Sequence, residues 1–268
     1  MLKSNKKLTL AFAAIGERLD KLKGCLSIVD LIKQVQVVVV VQRWTDDHKK
    51  IIEEFPQIDF VWQQGQGLSR SRNEALAHAQ GEYTWLLDDD VELQADDIAY
   101  ILLYLDAHSE IDFFRVKIGC IEWRDKFFKN YKKIDKVKRL NLLQVSSIEL
   151  IGRTQFIKQR QLQFNENIGL GTPYQGSEEI HFLLDAWDKD AKFEFIDKVL
   201  IRHTCIFDER VLADNNIFKI RGATASRFGL LGILLLGRWG IRSLFKEKNP
   251  IYIYHLFRGF CRGYSSFK

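Results

Sequence analysis

The sequence predicts an α/β protein with a mainly parallel central sheet, helices on both faces of that sheet and an amphipathic helical tail at the C-terminus. Segments typical of strands and helices alternate from Leu8 to His108, a pattern that favours a parallel sheet. Leu8–Ala14 and Val35–Val41 are apolar on both faces, as the central strands of such a sheet must be. The 46% of hydrophobic residues are enough to build one large core.

The chain of 268 residues has the length of one large domain with an appendage. We expect the main domain at residues 1–215, with a first half at 1–115 and a second half at 140–215. Residues 216–268 are rich in basic and aromatic side chains and are predicted to form a helical extension.

Strands in the first half are predicted from short apolar or β-branched runs, and helices from apolar residues spaced three or four positions apart. The glycine at position 81 marks the end of one helix, as glycine commonly does. In chain order we expect strand Leu8–Ala14, helix Glu17–Ile32, strand Val35–Val41, helix Asp46–Phe55, strand Ile58–Trp62, helix Ser69–Ala79, strand Tyr83–Leu87 and helix Ile98–His108.

The second half has a less regular pattern. Residues 124–139 are strongly basic and are expected to lie on the surface. Leu142–Lys158 is predicted to form two strands around a turn at Gly152, and Gln163–Gln175 a loop rich in Gly and Asn. The remaining predicted elements are a helix over Glu178–Trp187 and a strand or strand pair over Phe193–Ile201.

The net charge of +5 is distributed unevenly. Nine basic residues and one acidic residue lie between Arg221 and Lys268, whereas the first 220 residues have a small acidic excess. A protein that binds nucleic acid would carry its basic residues on the main domain. The distribution therefore argues against a nucleic-acid partner.

The four cysteines are far apart in the sequence and form no Cys-x-x-Cys pair, which argues against a zinc site. Each has apolar neighbours and is predicted to be a small buried side chain, which favours a reducing compartment. They are Cys25, Cys120, Cys205 and Cys261. The apolar stretch Leu8–Ala14 is short and is followed at once by charged residues, so we interpret it as a strand and not as a signal peptide.

A glycine loop that leads into a helix, followed by a strand ending in three carboxylates, carries the strongest chemical signal. In Gly67-Leu-Ser-Arg-Ser-Arg-Asn, the glycine loop leads into a helix that starts with Ser and Arg, which brings backbone N–H groups and guanidinium groups close to a strand end. Gly81-Glu-Tyr-Thr-Trp-Leu-Leu then leads into Asp88, Asp89 and Asp90. Three adjacent carboxylates repel each other unless a cation or hydrogen bonds compensate them, and hard oxygen ligands suit Mg²⁺ or Mn²⁺.

The segment GLSRSRNEALAHAQGEYTWLLDDD closely resembles the nucleotide-sugar-binding core of family-2 glycosyltransferases of the GT-A fold. The resemblance extends from about Leu8 to His203. It implies that Asp90 is the main metal ligand and that Asp88 is the first Asp of an Asp-x-Asp motif, which binds metal and nucleotide sugar. By the same resemblance Asp89 meets the ribose or the surroundings of the metal.

Two arginines on the same predicted helix are expected to differ. The resemblance implies that Arg72 approaches the base or the phosphates of the nucleotide, while Arg70 is interpreted as a surface charge.

A second motif, Phe164-Asn-Glu-Asn-Ile-Gly-Leu-Gly-Thr-Pro-Tyr-Gln-Gly-Ser-Glu-Glu, resembles the acceptor side of the same family. Inverting transfer needs a carboxylate that removes a proton from the acceptor hydroxyl. Glu179 stands where the family has Asp and is the expected base, with Glu178 supporting it. Because Glu is one methylene longer than Asp, Glu178 remains an alternative for the base.

Two histidines belong to these motifs. His203 matches a late histidine of the family that ligates the metal or contacts the diphosphate, and a structural histidine is the alternative. His181 lies on the predicted helix of Glu179 and is expected to pack in the core or beside the acceptor.

The sequence departs from the family pattern where the nucleotide base would bind. The second strand ends in Gln42-Arg-Trp-Thr and lacks the family's Asp-Asp-Gly-Ser. The Gln42 amide can still donate and accept hydrogen bonds at a pyrimidine edge, and Trp44 either stacks or packs. UDP and dTDP sugars are therefore the expected donors.

The C-terminal segment Phe228–Phe245 is apolar and carries Arg238, Trp239 and Arg242 near its end. It is too short to span a bilayer but suits a helix that lies in the membrane interface. The alternative is a helix packed on the body of the protein or on another subunit.

The resemblance as a whole implies an inverting, metal-dependent hexosyltransferase. It would move a sugar from a nucleotide-diphosphate sugar to a hydroxyl of a surface glycan or a polyprenyl-linked acceptor, in bacterial polysaccharide biosynthesis. Such an enzyme is expected in the cytoplasm, peripheral on the inner face of the cell membrane. Two alternatives are a non-catalytic membrane-associated scaffold and a sugar-phosphate nucleotidylyltransferase, although Ala13-Ala-Ile-Gly-Glu-Arg matches the first loop of the latter poorly.

Overall fold

A computed structural model of the chain describes residues 6–29, 32–206, 215–246 and 248–267. The chain divides into two compact units, which we name the sheet unit and the helical unit. The sheet unit comprises Met1–Gln66, Ser71–Gln163 and Leu183–Phe207. The helical unit comprises Gly67–Arg70, Phe164–Phe182 and Asp208–Lys268.

The sheet unit contains an eight-stranded sheet in the order β3-β2-β1-β4-β7-β6-β8-β5. Neighbours β3-β2, β2-β1, β1-β4 and β6-β8 are parallel, whereas the contacts of β7 and β5 are antiparallel. The strands are β1 (Leu8–Ile15), β2 (Val35–Gln42), β3 (Asp59–Trp62), β4 (Tyr83–Asp88), β5 (Val91–Glu92), β6 (Phe113–Cys120), β7 (Leu150–Arg153) and β8 (Phe193–His203).

Burial explains why the first strands occupy the centre of the sheet. Seven of the eight residues of β1 and of β2 are buried, including the polar Thr9, whose hydroxyl donates to Gln36 at 2.7 Å. The two strands pair in parallel with Leu10 opposite Val37. The predicted α/β class with a mainly parallel central sheet is confirmed.

Helices connect the strands over most of the sheet unit. They are α1 (Leu19–Val29), α2 (Lys49–Glu54), α3 (Leu68–His78), α4 (Ala95–Ala107), α5 (Thr154–Gln159) and α6 (Glu178–Trp187). The first residues of α3 and of α6 belong to the helical unit.

The prediction of two strands around a turn at Gly152 is wrong. Gly152 lies inside the single strand β7, and helix α5 follows directly. A Cβ atom at position 152 would come within 2.7 Å of the Phe113 ring, so glycine is required here for close packing and not for a turn. Phe113 belongs to β6, a strand that the sequence analysis did not assign.

The prediction that all four cysteines are buried holds for Cys25 and Cys120 but is wrong for Cys205, which is intermediate in exposure, and for Cys261. Cys120 at the end of β6 and Cys205 just after β8 form a disulfide with a Cα–Cα distance of 5.4 Å. Register explains the pairing, because Cys120 lies opposite His203 in the parallel β6–β8 pair. Cys261 is exposed, and only Cys25 is a buried thiol. The argument from cysteines for a reducing compartment therefore no longer holds.

The helical unit contains the C-terminal helices α7 (Asn215–Ser226), α8 (Leu230–Lys246) and α9 (Ile251–Arg262). Glycines bring α7 and α9 into backbone contact: a Cβ on Gly222 would lie 1.9 Å from the Leu256 carbonyl oxygen, and one on Gly259 equally close to that of Lys219. Within the described residues, the helices are all too short or too polar to cross a membrane.

Candidate active site

The three consecutive carboxylates of the sheet unit lie at the carboxyl ends of β1 and β4. Asp88 is the last residue of β4 and pairs in parallel register with Ala13 of β1. Asp89 is only 4% exposed and accepts a 3.0 Å hydrogen bond from the backbone N–H of Ile15. Ligands bind at such strand ends in open α/β sheets, so the carboxylates lie where a ligand is expected.

Arg18 contributes a cation to this cluster that the sequence analysis missed. Its guanidinium forms ion pairs with Asp89 and, at 2.7 Å, with Asp90. Arg18 follows β1 by three residues, so its nearness to the end of β4 depends on the β1–β4 register, which cannot be read from the sequence alone.

His203 contacts the third carboxylate, as its place at the end of β8 allows. Its Nε2 lies 3.2 Å from Asp90 Oδ1, and its Nδ1 lies 2.8 Å from the carbonyl oxygen of Thr204. Two acceptors around the ring favour the doubly protonated imidazolium. The hydrogen bond to Asp90 outweighs burial and raises the pKa of His203 above its usual value.

The pKa values of the adjacent carboxyl groups of Asp89 and Asp90 are shifted in opposite directions. Burial raises the pKa of Asp89, and the Ile15 N–H and Arg18 only partly oppose this effect. Burial also acts to raise the pKa of Asp90, but the hydrogen bond and charge of His203 and the charge of Arg18 outweigh it, so this pKa lies below its usual value. Of these two groups, Asp90 is thus the more firmly held in its charged form.

Arg72 on α3 is buried and faces the first carboxylate. It is 3% exposed, and its Nη2 donates to Ser147 Oγ at 2.6 Å and to Asp88 Oδ1 at 3.3 Å. The structure thus brings together Asp88 and Arg72. Ser147, in a turn before β7, is another residue that the sequence analysis missed.

Gln42 ends β2, two strands away from β4 in the sheet. Its amide donates to Ser71 Oγ at 2.9 Å, and the Ser71 hydroxyl donates to Gln63 Oε1 at 2.6 Å. Trp44 stacks on Trp62 with ring centroids 3.6 Å apart, so it packs against another side chain.

In the helical unit, a glycine loop precedes the two glutamates at the start of α6. Gly169 has φ of +114°, and a Cβ there would lie 2.9 Å from Ser69 Oγ and 3.3 Å from the carboxyl carbon of Glu178. Glu178 is 5% exposed, whereas Glu179 is intermediate in exposure. The loop is also held by Asn165, whose side-chain amide donates to the carbonyl oxygen of Phe267 at 2.9 Å.

The other two predicted side chains of this unit have structural partners. His181 is buried, lies 3.0 Å from Thr224 Oγ1 and stacks on Tyr264, as expected for a packing residue. The exposed Arg70 donates to Glu166 at 3.0 Å, which agrees with its interpretation as a surface charge.

Comparison with known proteins agrees with these motifs. Residues 17–170 match the family described as Glycosyl transferase family 2, which is more than half of the chain. The chain belongs to glycosyl transferase family 2. No curated protein sequence matches it.

The fold of this family-2 glycosyltransferase is similar to that of TarS from S. aureus. Residues 1–349 of TarS superpose with a TM-score of 0.63 at 16% identity, over 98% of this chain and 72% of that one. The complex of TarS 1–349 with UDP gives 0.65 at 19% identity over 91% and 73%. The complex with UDP-GlcNAc gives 0.63 at 17% identity over 90% and 73%. The resemblance to the family and to its fold is therefore confirmed.

Family-2 enzymes generally use a divalent cation, so the carboxylate cluster can be tested as a metal site. Carboxylate oxygens are suitable donors for Mn²⁺ or Mg²⁺, and Asp90 lies beside His203, whose ring nitrogen can ligate a metal only in its neutral form. Asp88 instead faces Arg72, and no group of three metal-binding side chains gathers in the part of the chain that the structure describes. The donor chemistry fits a metal, with two ligands adjacent and with Arg18 beside them.

Proposed function

We propose that this family-2 enzyme is an inverting hexosyltransferase that moves a sugar from a nucleotide-diphosphate sugar to an acceptor hydroxyl. The observation that carries this proposal is the carboxylate cluster at the ends of β1 and β4, compensated by the three cationic side chains of Arg18, Arg72 and His203. Both signs of charge that a metal-bound diphosphate requires are therefore present at one sheet edge.

UDP and dTDP sugars are the donors that we propose. The TarS structures contain UDP and UDP-GlcNAc, and they share the fold with this chain. Gln42 supplies an amide at the end of β2 that can pair with a pyrimidine edge, where many family members have Asp. Its hydrogen bond to Ser71 orients this amide.

Asp90 and Asp88, together with His203 once its ring has lost the proton facing Asp90, would hold Mg²⁺ or Mn²⁺, which would supply positive charge to the diphosphate. Arg18 and Arg72 contribute positive charge from the protein itself, close to the same carboxylates. Asp89, fixed by the Ile15 N–H, is assigned to the ribose or to the surroundings of the metal. The positive charge of the metal, Arg18 and Arg72 would stabilise the negative charge that develops on the leaving diphosphate.

Glu179 is proposed as the base that removes the proton from the acceptor hydroxyl. Its greater exposure supports this role, because a base must reach a substrate hydroxyl that arrives from solvent. Glu178 is buried beside Gly169 and suits a supporting role. The inverted stereochemistry follows from a single direct displacement at the anomeric carbon.

The acceptor is proposed to be a lipid-linked or surface glycan, in bacterial polysaccharide synthesis at the cytoplasmic face of the cell membrane. The apolar, basic C-terminal helices support a lipid-linked acceptor. A non-catalytic scaffold is disfavoured by the intact carboxylate cluster, and a nucleotidylyltransferase by the family match.

Hydrolysis of UDP sugars by purified protein with Mn²⁺, in the absence of acceptor, tests the proposal. Asp90→Asn removes a negative charge with little change in shape and should lower the rate at least about 100-fold. Asp135→Asn is the matched control, since the Asp135 side chain is 88% exposed and should tolerate the change. Equal rates for both variants, or no hydrolysis of any sugar nucleotide by the wild type, would refute the assignment.

A further inference from the structure

The outer side of α8 is apolar although it faces solvent. Leu230 is 85% exposed, Leu234 70% and Phe245 80%. At 100° per residue these three side chains and Ile241 lie within an arc of about 60° on the helix surface. The full set of exposed apolar residues on α8 is Leu230, Leu231, Ile233, Leu234, Ile241, Leu244 and Phe245.

The opposite side of α8 already packs within the helical unit. Gly232, Gly240 and Ser243 are buried there. A Cβ on Gly232 would lie 2.1 Å from the Ala225 carbonyl oxygen, and one on Gly240 would lie 3.8 Å from Ile253. The exposed apolar residues of α8 therefore lie on a different side from the residues that pack it against the helical unit. Packing within the unit does not explain why these exposed residues are apolar.

Helix α9 also carries exposed apolar side chains, some of them aromatic. Its exposed apolar side chains include Tyr254 and Phe257, at 54% and 62%. We name the exposed apolar residues of α8 together with Ile251, Ile253, Tyr254 and Phe257 of α9 the α8–α9 face. A cluster of exposed apolar side chains on one side of a helix, as on α8, marks an interaction site.

Charge identifies the partner. The exposed charged side chains that the structure describes on these two helices and their connection are all basic: Arg238, Arg242, Lys248, Arg258 and Arg262. Glu247, in the connection, lies outside the described residues. Residues 215–246 and 248–267, the part of this region that the structure describes, contain no acidic residue. On α8 the basic side chains flank the apolar arc on one side, as in helices that lie at the surface of an anionic membrane.

We propose that the α8–α9 face docks on an anionic lipid bilayer, with its apolar side chains in the outer acyl region and its arginines at the lipid phosphates. Pairing of two copies through this face would bring basic side chains together, with no acidic partner among its described residues, which disfavours a homodimer. The inference concerns where the protein binds and does not depend on sugar transfer.

Co-sedimentation with vesicles tests the docking. Wild-type protein should bind vesicles of 70% phosphatidylcholine and 30% phosphatidylglycerol, and bind pure phosphatidylcholine at least about tenfold more weakly. Arg238→Gln/Arg242→Gln should weaken binding to the anionic vesicles by about 25-fold, since each basic residue near such a surface contributes about fivefold.

Leu234→Glu tests the apolar part, with Leu103→Glu as matched control. Both leucines are about 70% exposed, but Leu103 lies on α4 in the sheet unit. Leu234→Glu should lower vesicle binding more than tenfold, and Leu103→Glu should leave it unchanged, with circular dichroism showing that both remain folded. Equal effects of the two variants would overturn the proposal. So would a wild-type dimer, measured by light scattering, that Leu234→Glu converts to monomer.

Discussion

The end of β4 and the α8–α9 face both concentrate charge of one sign, but they differ in how that charge is balanced. At the end of β4, Asp88 lies beside Arg72, and Arg18 and His203 lie beside the next two carboxylates. On α8, α9 and their connection, the described residues include five exposed basic side chains and no acidic one.

This difference separates two kinds of binding surface. A balanced cluster is stable without ligand, and a ligand must exchange partners with the cations already present. An unbalanced basic surface with exposed apolar side chains instead attracts an external anionic partner. We therefore expect substitutions at β4 to change chemistry and stability, and those on α8 to change only where the protein binds.

The largest expected effect concerns the two glutamates of the helical unit. Glu179→Gln should lower transfer about 100- to 10,000-fold because it removes the proposed base, while Glu178→Gln should have a smaller effect on the rate. Single-turnover transfer to a glycan acceptor measures both. If Glu178→Gln were the more damaging change while both variants remained folded, the roles would be reversed.

Reduction of the disulfide tests the connection between β6 and β8. Its loop of 85 residues predicts a stabilisation of about 4 kcal/mol, lost in Cys120→Ser/Cys205→Ser. Urea unfolding with and without reductant measures this difference. Thiol titration of the unfolded, non-reduced protein should find only Cys25 and Cys261. Four reactive thiols would show that the pair is not oxidised.

Arg72 and Arg70 provide a matched pair on one helix. Arg72→Met removes a buried guanidinium that donates to Asp88 and Ser147, and should lower the free energy of unfolding by about 2–3 kcal/mol. Arg70→Met breaks an exposed ion pair with Glu166 and should cost less than about 0.5 kcal/mol. Urea denaturation compares the two, and equal losses would contradict the structural role of Arg72.

Arg18→Gln should have the smallest effect, a change in Mn²⁺ affinity. Whether the affinity rises or falls shows which role Arg18 has. Without the guanidinium, Asp89 and Asp90 lose a competing cation, so Mn²⁺ should bind about fivefold more tightly in the absence of nucleotide. Isothermal titration with Mn²⁺ alone measures this change. Weaker Mn²⁺ binding would indicate that Arg18 positions the carboxylates for the metal and does not compete with it.

The sequence predicted best where local pattern and motif coincide. The run of β-branched residues gave β2, and the motif at Gly81–Asp90 gave β4 and its carboxylates. Arg18 and Ser147 were missed because their places in the cluster depend on strand register and on a turn distant in sequence. Gly152 was misjudged because contact with Phe113, not a turn, requires a glycine there.

The same reason explains the cysteine error. Nothing in the spacing of Cys120 and Cys205 indicates a pair, since 85 residues separate them. The β6–β8 register brings them together, and β6 itself was not assigned from sequence.

Isothermal titration of UDP tests the central claim most directly, namely that the balanced cluster at β4 binds a metal–nucleotide diphosphate. We predict that wild-type protein binds UDP in Mn²⁺ and at least tenfold more weakly in EDTA. Asp90→Asn should abolish the gain in UDP affinity that Mn²⁺ gives, and Asp135→Asn should retain this gain. UDP binding that is equally strong in EDTA and in Asp90→Asn would contradict the claim.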